Sequence, residues 1–552
     1  WGIFRSLNIA AIIYTNKNIE KDFITHIDIS TIKGLFNYKT LLFIIIPVVC
    51  FFIFKLFNNK LDKELYSKKR KIIISIYLIP LLFFLFLNVR LLAHTSSVKS
   101  QKYNYIGLCS VLKNLPEQDI IFSLRGNNDQ KNFQDNIDKS IILKLKKFGL
   151  SVDTESQLPL YKKTIYKSEL NYKKSNNFIK TPNIIIFVFE SLSPRLIGVY
   201  GSKFENITPN IDSFSRESLI IKNCYNGSTP TLNGLISLLT SSYPVHGPEI
   251  YGSNTSDLKS PDLLSIMEIL KGKGYNSFNI TPGSPYYVNH NVFFEKEGVD
   301  RIFGFDEIRK KLNQDSYGKM FGVSDQQVVN FFIDWLQTRD ETNPFFISLS
   351  TVDFHPPFDL PDDCVDYNFS NNKLLKIIHN TDNAFGKFWN YFKKSKYYNN
   401  TIVIITADHA PFPGIEYQKL INEKIYYFDR IPFIIYDPTH NLPAEISITS
   451  SSVDIIPSLL HLLNINTPNS FEGLSIFDKY GRVQYPSILG SHGYHFFYLI
   501  DGKEEFFEIN NIESYLIKSN DKQIIIQDNF SQNDYLSWWR YKRWLIKNNK
   551  IW

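Results

Sequence analysis

Two long apolar runs dominate the first hundred residues of the chain. They extend from Thr40 to Phe57 (TLLFIIIPVVCFFIFKLF) and from Ile72 to Ala93. Each approaches the roughly 20 residues that a helix needs to cross a bilayer. The alternative is a pair of buried helices in a soluble core, but runs this long with so little charge are rare there. We therefore predict a membrane region over 1–95, with transmembrane helices near 40–57 and 72–93.

The segment between the two apolar runs fixes their predicted orientation. It reads NNKLDKELYSKKRK and carries six Lys or Arg residues against two acids. Basic loops stay on the cytoplasmic side of a membrane, so everything after about His94 should be extracytoplasmic. The sequence begins with Trp1 rather than Met, and we expect the natural chain to begin earlier.

The pattern changes twice in the rest of the chain. Residues 96–180 are polar and weakly periodic, which indicates a linker with some helices. From Pro182 onward, short apolar runs (NIIIFVFE, NPFFISLS, NNTIVIITADHA) alternate with helical patterns such as SPDLLSIMEILKGKGY and VSDQQVVNFFIDWLQTR. Such alternation is typical of an α/β domain with a central sheet flanked by helices. We assign 181–500 to this domain and 501–552 to a C-terminal extension.

The C-terminal extension ends in DYLSWWRYKRWLIKNNKIW, where tryptophans are interleaved with Arg and Lys. Aromatic and basic residues together suit a membrane interface. A C-terminal helix packed on the domain explains the same pattern equally well, and the sequence does not decide between the two.

Composition narrows the classes of partner. Aromatic residues make up 15% of the chain, whereas disordered proteins contain few of them. The net charge of +7 is modest for 552 residues. Because no dense basic patch or known reader motif accompanies this charge, we expect no nucleic-acid partner.

Polar residues follow the predicted strands at three places. Glu190 ends the first run, His355 lies in DFHPPF, and Asp408 with His409 ends the third run. In α/β sheets, the groups beyond the carboxyl ends of the strands form the site. Thr231 lies in a small-residue loop before the apolar run from Leu232 to Leu239. Each residue has a structural alternative: a cap for Glu190 and Thr231, and a chance pair or a structural histidine for the others.

These residue types together favour a metal site. A divalent cation prefers hard oxygen ligands with one imidazole, which Glu190, Asp408, His409 and the Thr231 oxygen supply. Coordination would make the Thr231 hydroxyl a usable nucleophile. The start of the following helix would offer backbone N–H groups to an anion.

The same segments resemble the alkaline phosphatase and sulfatase superfamily, and most closely its lipoteichoic acid synthase and phosphoglycerol transferase branch. The resemblance covers roughly 182–477 in order. NIIIFVFESLSPRLIGVYG resembles the first metal-binding strand, TPTLNGLISLLTSSYP the nucleophile segment, DFHPPF the substrate-side histidine segment and TADHA the metal pair. Aligning Tyr243 and Pro244 with the family's Tyr-Pro puts Thr231 at the nucleophile, rather than Ser228 or Thr229.

The resemblance implies a sulfatase-like central mixed sheet behind transmembrane helices in a multi-pass protein of the bacterial cell membrane. It also implies a transferase that moves a phosphoglycerol-type head group from a phospholipid donor to a glycan or polymer, through a phospho-threonine. Glu190, Thr231, Asp408 and His409 would bind one divalent cation. Mn²⁺ is favoured, with Mg²⁺ and Zn²⁺ as alternatives. Thr231 and His355 would be the catalytic residues, and His355 would also contact substrate.

The sequence departs from the branch at one segment, FNITPGSPYYVNHNVFFEKEGVD. The synthases carry a His and then a Trp-Asn-Arg cluster there, and the closest counterparts are Thr281 and His290 as substrate-binding residues. No Arg is present to grip a phosphate, which leaves the head group and the acceptor open. Asp353 and His355 are the obvious candidates for a second metal set, so we expect one metal.

Two alternatives to a transferase remain. A sulfatase-like phosphodiesterase or sulfuric ester hydrolase would use water as the acceptor. Formylglycine sulfatases need Cys or Ser at the nucleophile and an Arg four residues on, and Thr231 with its following residues offers neither. The second alternative is a non-catalytic relative that binds a lipid or glycan.

Overall fold

A computed structural model describes most of the chain after residue 134. The described residues are 135–146, 150–166, 181–244, 263–287, 290–312, 321–478 except 341, 424, 426 and 427, and then 488–492, 495–499, 508–509, 516–517 and 532–552. The chain divides into two units, 1–126 and 127–552, and all described residues belong to the second. Both apolar runs of the predicted membrane region lie outside the described residues. No helix in the described part is long and apolar enough to span a bilayer.

The three predicted apolar runs form buried strands of six or seven residues. In chain order the strands are β1 (Lys162–Lys163), β2 (Asn183–Phe189), β3 (Leu219–Tyr225), β4 (Ser228–Thr229), β5 (Asn276–Ile280), β6 (Arg301–Phe303), β7 (Phe345–Ser350), β8 (Thr401–Ala407), β9 (Arg430–Ile431), β10 (Phe433–Tyr436), β11 (Glu445–Ser451), β12 (Pro468–Asn469), β13 (Ile488–His492), β14 (His495–Leu499), β15 (Glu508–Ile509) and β16 (Leu516–Ile517). The three apolar runs correspond to β2, β7 and β8.

The helices begin at polar capping residues in several cases. Ser324 forms a capping box with Gln327 at the start of one, and Asn372 caps another. In chain order they are α1 (Lys139–Leu145), α2 (Pro209–Ser215), α3 (Thr231–Thr240), α4 (Ile266–Lys271), α5 (His290–Lys296), α6 (Phe305–Leu312), α7 (Asp325–Thr338), α8 (Lys373–Phe392), α9 (Ile415–Ile421), α10 (Ile455–Leu462) and α11 (Gln532–Lys547).

The main sheet is mixed and has the order β11-β3-β10-β8-β2-β7-β5-β6, with β9 paired to β3. Its centre is parallel, because β2 pairs in parallel with both β7 and β8. Every residue of β2, β7 and β8 is buried, so both faces of the centre are covered. The prediction of a central mixed sheet flanked by helices is confirmed for this part of the chain.

Aromatic side chains fill one interface between this sheet and its helices. The Phe187 ring of β2 lies 5.2 Å from Phe385 and 4.7 Å from Phe388 on α8, and 6.1 Å from Phe332 on α7. Full burial of one such side chain stabilises the fold by about 2–3 kcal/mol. This packing holds the centre of the sheet rigidly, and the candidate site lies at the ends of those central strands.

A smaller sheet connects the C-terminal part of the chain to the loop before α3. Its order is β16-β15-β14-β13-β4. The two residues of β4 pair in parallel with β13, Ser228 with Ser491 and Thr229 with His492. A strand from near residue 490 is therefore hydrogen-bonded to the backbone two residues before Thr231.

Candidate active site

Strand register brings the first two candidate ligands together. Phe189 at the end of β2 pairs with Ala407 at the end of β8. Because these strands are parallel, Glu190 and Asp408 leave the sheet side by side at its carboxyl edge. Both carboxylates are buried. The backbone N–H of Glu190 donates to Thr351 Oγ1 at 2.9 Å, which also ties this edge to the residue after β7.

Ser191 orients the two carboxylates. Its backbone has a φ of 50°, in the left-handed region that residues other than glycine rarely adopt. In this conformation its N–H donates to Asp408 Oδ1 at 2.9 Å, and its hydroxyl donates to Glu190 Oε1 at 2.7 Å. One oxygen of each carboxylate is thus held, which directs the other toward the centre of the site.

His409 presents its Nε2 atom to the same point. Its Nδ1 lies 2.8 Å from the Ala410 carbonyl oxygen, so the proton belongs on Nδ1 and the lone pair on Nε2. Nε2 lies 3.4 Å from Asp408 Oδ2 and 3.9 Å from Glu190 Oε1. The ring stacks on Phe412 at 4.8 Å, which fixes its plane.

Thr231 is the first residue of α3, and its side chain points to this group. Its Oγ1 lies 3.3 Å from Glu190 Oε2. The structure gives no side-chain cap at the start of α3, where the cap position is Pro230. The alternative that Thr231 is a helix cap therefore does not describe the side chain.

Gly234 allows α3 to approach the Asp408 loop this closely. A Cβ atom at Gly234 would lie 2.2 Å from the Asp408 carbonyl oxygen and 2.8 Å from its carbonyl carbon. No other residue type fits this helix position without displacement, because the neighbour is backbone. The first turn of α3 and the loop that carries two candidate ligands are therefore in direct backbone contact.

The electrostatics of this group fit a divalent cation. One ligand atom from each of Glu190, Asp408 and His409 can be chosen so that all lie within 4.8 Å of one another. Asp408 Oδ2 and His409 Nε2 are buried without a hydrogen-bond partner among the described residues. Burial and the nearby Asp408 charge raise the pKa of Glu190. Buried lone pairs that face one another are costly unless a positive charge lies between them.

Asp353 and His355, the candidates for a second metal set, are not part of a ligand group among the described residues. Among the described residues, Glu190, Asp408 and His409 are the one group of three or more such side chains close enough to hold an ion. Asp353 instead accepts hydrogen bonds from the Asp325 N–H at 3.2 Å and the Asn380 amide at 3.1 Å. Burial and the Asp325 charge raise the pKa of Asp353 to about 9.

His355 lies on the loop after β7, beside the site. Its Nδ1 is 2.6 Å from the Pro356 carbonyl oxygen, and its ring contacts Phe321 with the centroids 4.1 Å apart. Burial lowers the pKa of His355, while the Pro356 carbonyl and the Asp408 charge oppose that shift. The imidazole is therefore neutral near pH 7, and its role in catalysis stays a prediction.

Thr281 and His290 lie on the β5 side of the sheet. Both are buried, and the Thr281 N–H donates to the Phe303 carbonyl at 2.9 Å. His290 Nε2 lies 3.0 Å from Asn279 Oδ1, and burial lowers the pKa of His290 to about 4. A neutral imidazole does not supply the positive charge that the missing Arg would give. Their contact with substrate stays a prediction.

Several residues of this site carry no signal in the sequence. Ser191, Thr351 and Phe321 are ordinary residue types in ordinary local contexts, and only the fold brings them to the ligands. Gly234 does carry a signal: a glycine inside a helical pattern costs about 1 kcal/mol relative to Ala and so suggests a packing reason.

Similarity to known proteins agrees with this geometry. A family model described as Sulfatase matches residues 182–465. The chain is 22% identical over 346 residues to lipoteichoic acid synthase 2 of Bacillus subtilis, covering 57% of this chain and 51% of that protein. It is 26% identical over 382 residues to an arylsulfatase of Clostridium perfringens, and the match covers 54% of this chain and 78% of that protein. The chain thus spans about half the length of that synthase.

A solved structure supports the fold. It is the crystal structure of a protein in the alkaline phosphatase superfamily from Vibrio parahaemolyticus, with a TM-score of 0.57 and 20% identity. The alignment covers 76% of this chain and 99% of that one. At this identity the likeness concerns the fold alone.

Proposed function

The chain belongs to the sulfatase family, and on this premise we propose that it is a metal-dependent transferase for a phospholipid head group. The head group is of the phosphoglycerol type, and the acceptor is a hydroxyl of a glycan or polymer. One observation carries the proposal: the Thr231 hydroxyl lies 3.3 Å from Glu190 Oε2, inside the group that fits a cation. Similarity to a lipoteichoic acid synthase supports a transferase of this superfamily.

Glu190, Asp408 and His409 are the residues that hold the metal in this proposal, with Thr231 completing the set. When bound, a divalent cation lowers the pKa of an alcohol and offsets negative charge on phosphoryl oxygens. The set is rich in oxygen, which favours Mn²⁺ over Zn²⁺, with Mg²⁺ as the alternative.

Thr231 then reacts in two steps. Its Oγ1 forms a bond to phosphorus while the bond from phosphorus to the diacylglycerol oxygen breaks. Solvent takes the Thr231 proton and gives one to the departing oxygen, so diacylglycerol leaves as an alcohol. An acceptor hydroxyl next forms a bond to the same phosphorus while the bond from phosphorus to Thr231 Oγ1 breaks, and the acceptor proton passes through solvent to restore the Thr231 hydroxyl. Backbone N–H groups at the start of α3 offer donors to the phosphoryl oxygens throughout.

His355 assists at the oxygen atoms that enter and leave. With its proton on Nδ1 toward Pro356, its Nε2 is a hydrogen-bond acceptor. This state suits orienting a hydroxyl or taking its proton more than donating one. We therefore assign His355 to the acceptor step and to orienting the leaving alcohol.

A phospholipid donor gives a reason for anchoring the catalytic domain to a membrane. A phospholipid substrate stays in the bilayer, so a catalytic domain tethered by the transmembrane helices predicted near 40–57 and 72–93 would remain beside it. The basic loop between those runs favours an extracytoplasmic domain in a bacterial cell membrane.

A hydrolase is the second candidate, because the arylsulfatase relative is covered over 78% of its length. It would form the same adduct on Thr231 and pass it to water. Thr231 cannot be converted to formylglycine, which requires Cys or Ser, so a phosphodiester is favoured over a sulfate ester.

Mass spectrometry of the protein after incubation with phosphatidylglycerol and Mn²⁺ tests the proposal. We expect a phosphoglycerol adduct on Thr231 and release of diacylglycerol, both lost in Thr231→Ala. Thr338→Ala, an exposed threonine at the end of α7, is the matched control. Glycerol phosphate released to water without a modified acceptor would indicate the hydrolase instead. If the phosphatidylglycerol stayed intact and the protein bound no metal, the chain would be a non-catalytic lipid- or glycan-binding protein.

A further inference from the structure

The C-terminal helix α11 is packed into the protein rather than exposed. Its buried side chains include two cations as well as aromatic and aliphatic residues: Trp538, Trp539, Tyr541, Lys542, Arg543 and Leu545. Of the two alternatives for the tail, the packed helix therefore describes this segment. Burial of a lysine is costly unless its charge is paired and its protons are all donated, so Lys542 requires an explanation.

Lys542 is bonded to the residues that directly follow the nucleophile helix. Its Nζ donates to Ser242 Oγ at 2.9 Å and to the Tyr243 carbonyl oxygen at 2.6 Å, and it forms an ion pair with Glu472. These acceptors satisfy the three donors of an ammonium group. Side-chain exposure is 3% for Lys542 and 1% for Glu472, so water does not weaken the pair.

Glu472 completes the attachment from the other side. Its Oε2 accepts from the Ser242 hydroxyl at 2.7 Å and from the Tyr243 N–H at 2.9 Å. Its own backbone N–H donates to the Ser241 carbonyl at 2.7 Å. Ser241 has a φ of 49° and ends α3. The end of the helix is thus bonded to two distant segments of the chain.

Helix α3 is therefore held at both ends. At its first turn, Gly234 lies against the Asp408 backbone. At its last turn, Glu472 and Lys542 bind the residues after Thr240. A ten-residue helix is a rod of about 15 Å, so a shift at one end is transmitted to the other. Neither Glu472 nor Lys542 lies within the 182–465 family match.

We propose that Lys542 is a positioning residue, which, with Glu472, sets the position of α3 and so the distance of the Thr231 hydroxyl from Glu190. The C-terminal extension is then part of the catalytic unit rather than an appendage. The proposal rests on the proposed function only in taking Thr231 as the nucleophile.

Two variants separate positioning from stability. In Lys542→Met the Glu472 charge remains buried without its partner, so both stability and activity should fall. In the double variant Lys542→Met/Glu472→Met both charges of the pair are removed, and Lys162, which Glu472 also attracts, keeps the Asp454 charge nearby. Stability should largely return, because an apolar replacement of a buried ion pair is often tolerated. The hydrogen bonds to the end of α3 are still missing, so activity should stay low. Arg540→Met, on the same helix and half-buried, is the matched control.

The assay uses full-length protein with Mn²⁺ and bis(p-nitrophenyl) phosphate, well below each melting temperature. This substrate has an activated leaving group and needs no lipid recognition, so its turnover reports Thr231 even if the natural donor is different. We expect kcat to fall about tenfold or more in both variants, since small displacements of reacting groups cost that much. KM should change less than twofold.

Hydrogen–deuterium exchange gives a readout that does not depend on any reaction. Peptides covering 231–243 should exchange faster in Lys542→Met and in the double variant, and at the wild-type rate in Arg540→Met. A double variant with wild-type kcat would overturn the proposal, even if its exchange were faster. Unchanged exchange in 231–243 would overturn it as well. If only the reaction with phosphatidylglycerol failed, the proposed donor would be wrong, but the positioning role of Lys542 would still be supported.

Discussion

Replacement of Gly234 by alanine is a sharp test of the active-site geometry. The added Cβ would lie 2.2 Å from the Asp408 carbonyl oxygen, whereas carbon and oxygen rarely approach within about 3.2 Å, so α3 or the Asp408 loop must move by about 1 Å. The intrinsic helix preference of Ala over Gly stabilises by up to about 1 kcal/mol. Overpacking against backbone costs about 1–3 kcal/mol, and we expect this cost to win.

The larger effect should be on catalysis. Thr231 lies one turn before Gly234, and its hydroxyl is already 3.3 Å from Glu190 Oε2. A displacement of about 1 Å removes that contact, and misplacement on this scale costs about a hundredfold in rate. We therefore expect kcat on bis(p-nitrophenyl) phosphate to fall about a hundredfold in Gly234→Ala, with a lowered melting temperature.

The control is Gly272→Ala. Gly272 has an ordinary helical backbone, and a Cβ there would meet the Ile269 carbonyl oxygen at 3.4 Å, a normal contact. This variant should keep wild-type kcat. If Gly234→Ala also kept wild-type kcat and melting temperature, the close backbone contact between α3 and the Asp408 loop would be wrong, and so would the argument that it holds Thr231 in place.

Two further predictions concern stability. Addition of Mn²⁺ at a hundred times its dissociation constant should stabilise the fold by about 2.7 kcal/mol, which thermal unfolding would show as a higher melting temperature. EDTA should reverse this increase. Asp408→Asn, which removes the charge of a proposed ligand, should abolish it. Acidification should destabilise the fold through His290, whose folded pKa of about 4 lies below the ordinary 6.5. As the pH falls, His290 is protonated in the unfolded chain before it is protonated in the folded one. The free energy of unfolding is therefore unaffected above pH 6.5 and falls between pH 6.5 and 4, by up to about 3 kcal/mol. Denaturant unfolding of His290→Gln should show a flatter pH dependence than that of the wild type. A Mn²⁺ shift retained in Asp408→Asn, or equal pH curves for wild type and His290→Gln, would contradict these expectations.

The strands and the residues that follow them are the part that the sequence predicts well. The runs at 183–189, 345–350 and 401–407 are buried strands because local apolar patterns alone specify burial on both faces. Glu190 and Asp408 follow from the same patterns, since parallel strands bring their carboxyl ends together. Their proximity in space therefore follows from the two apolar runs that precede them and from the alignment of carboxyl ends in a parallel sheet.

Long-range contacts are the part that the sequence does not predict. The Ser191 N–H reaches Asp408 across 217 residues, and the Lys542 ammonium reaches Ser242 across 300. Neither serine nor lysine signals such a partner locally. The packing of His290 against Asn279 and Phe294 is likewise invisible in the sequence, and its contact with substrate stays a prediction.

The attachment of α3 by Lys542 has a consequence for how the protein is made. Lys542 leaves the ribosome 300 residues after Ser242, which at 5–20 residues per second is roughly fifteen seconds to a minute later. During that interval the nascent chain already contains Thr231 and, for the last part, Glu190, Asp408, His409 and Glu472, but the residues after α3 still lack the hydrogen bonds from the Lys542 ammonium. The final placement of α3 is thereby delayed until translation has passed the C-terminal helix.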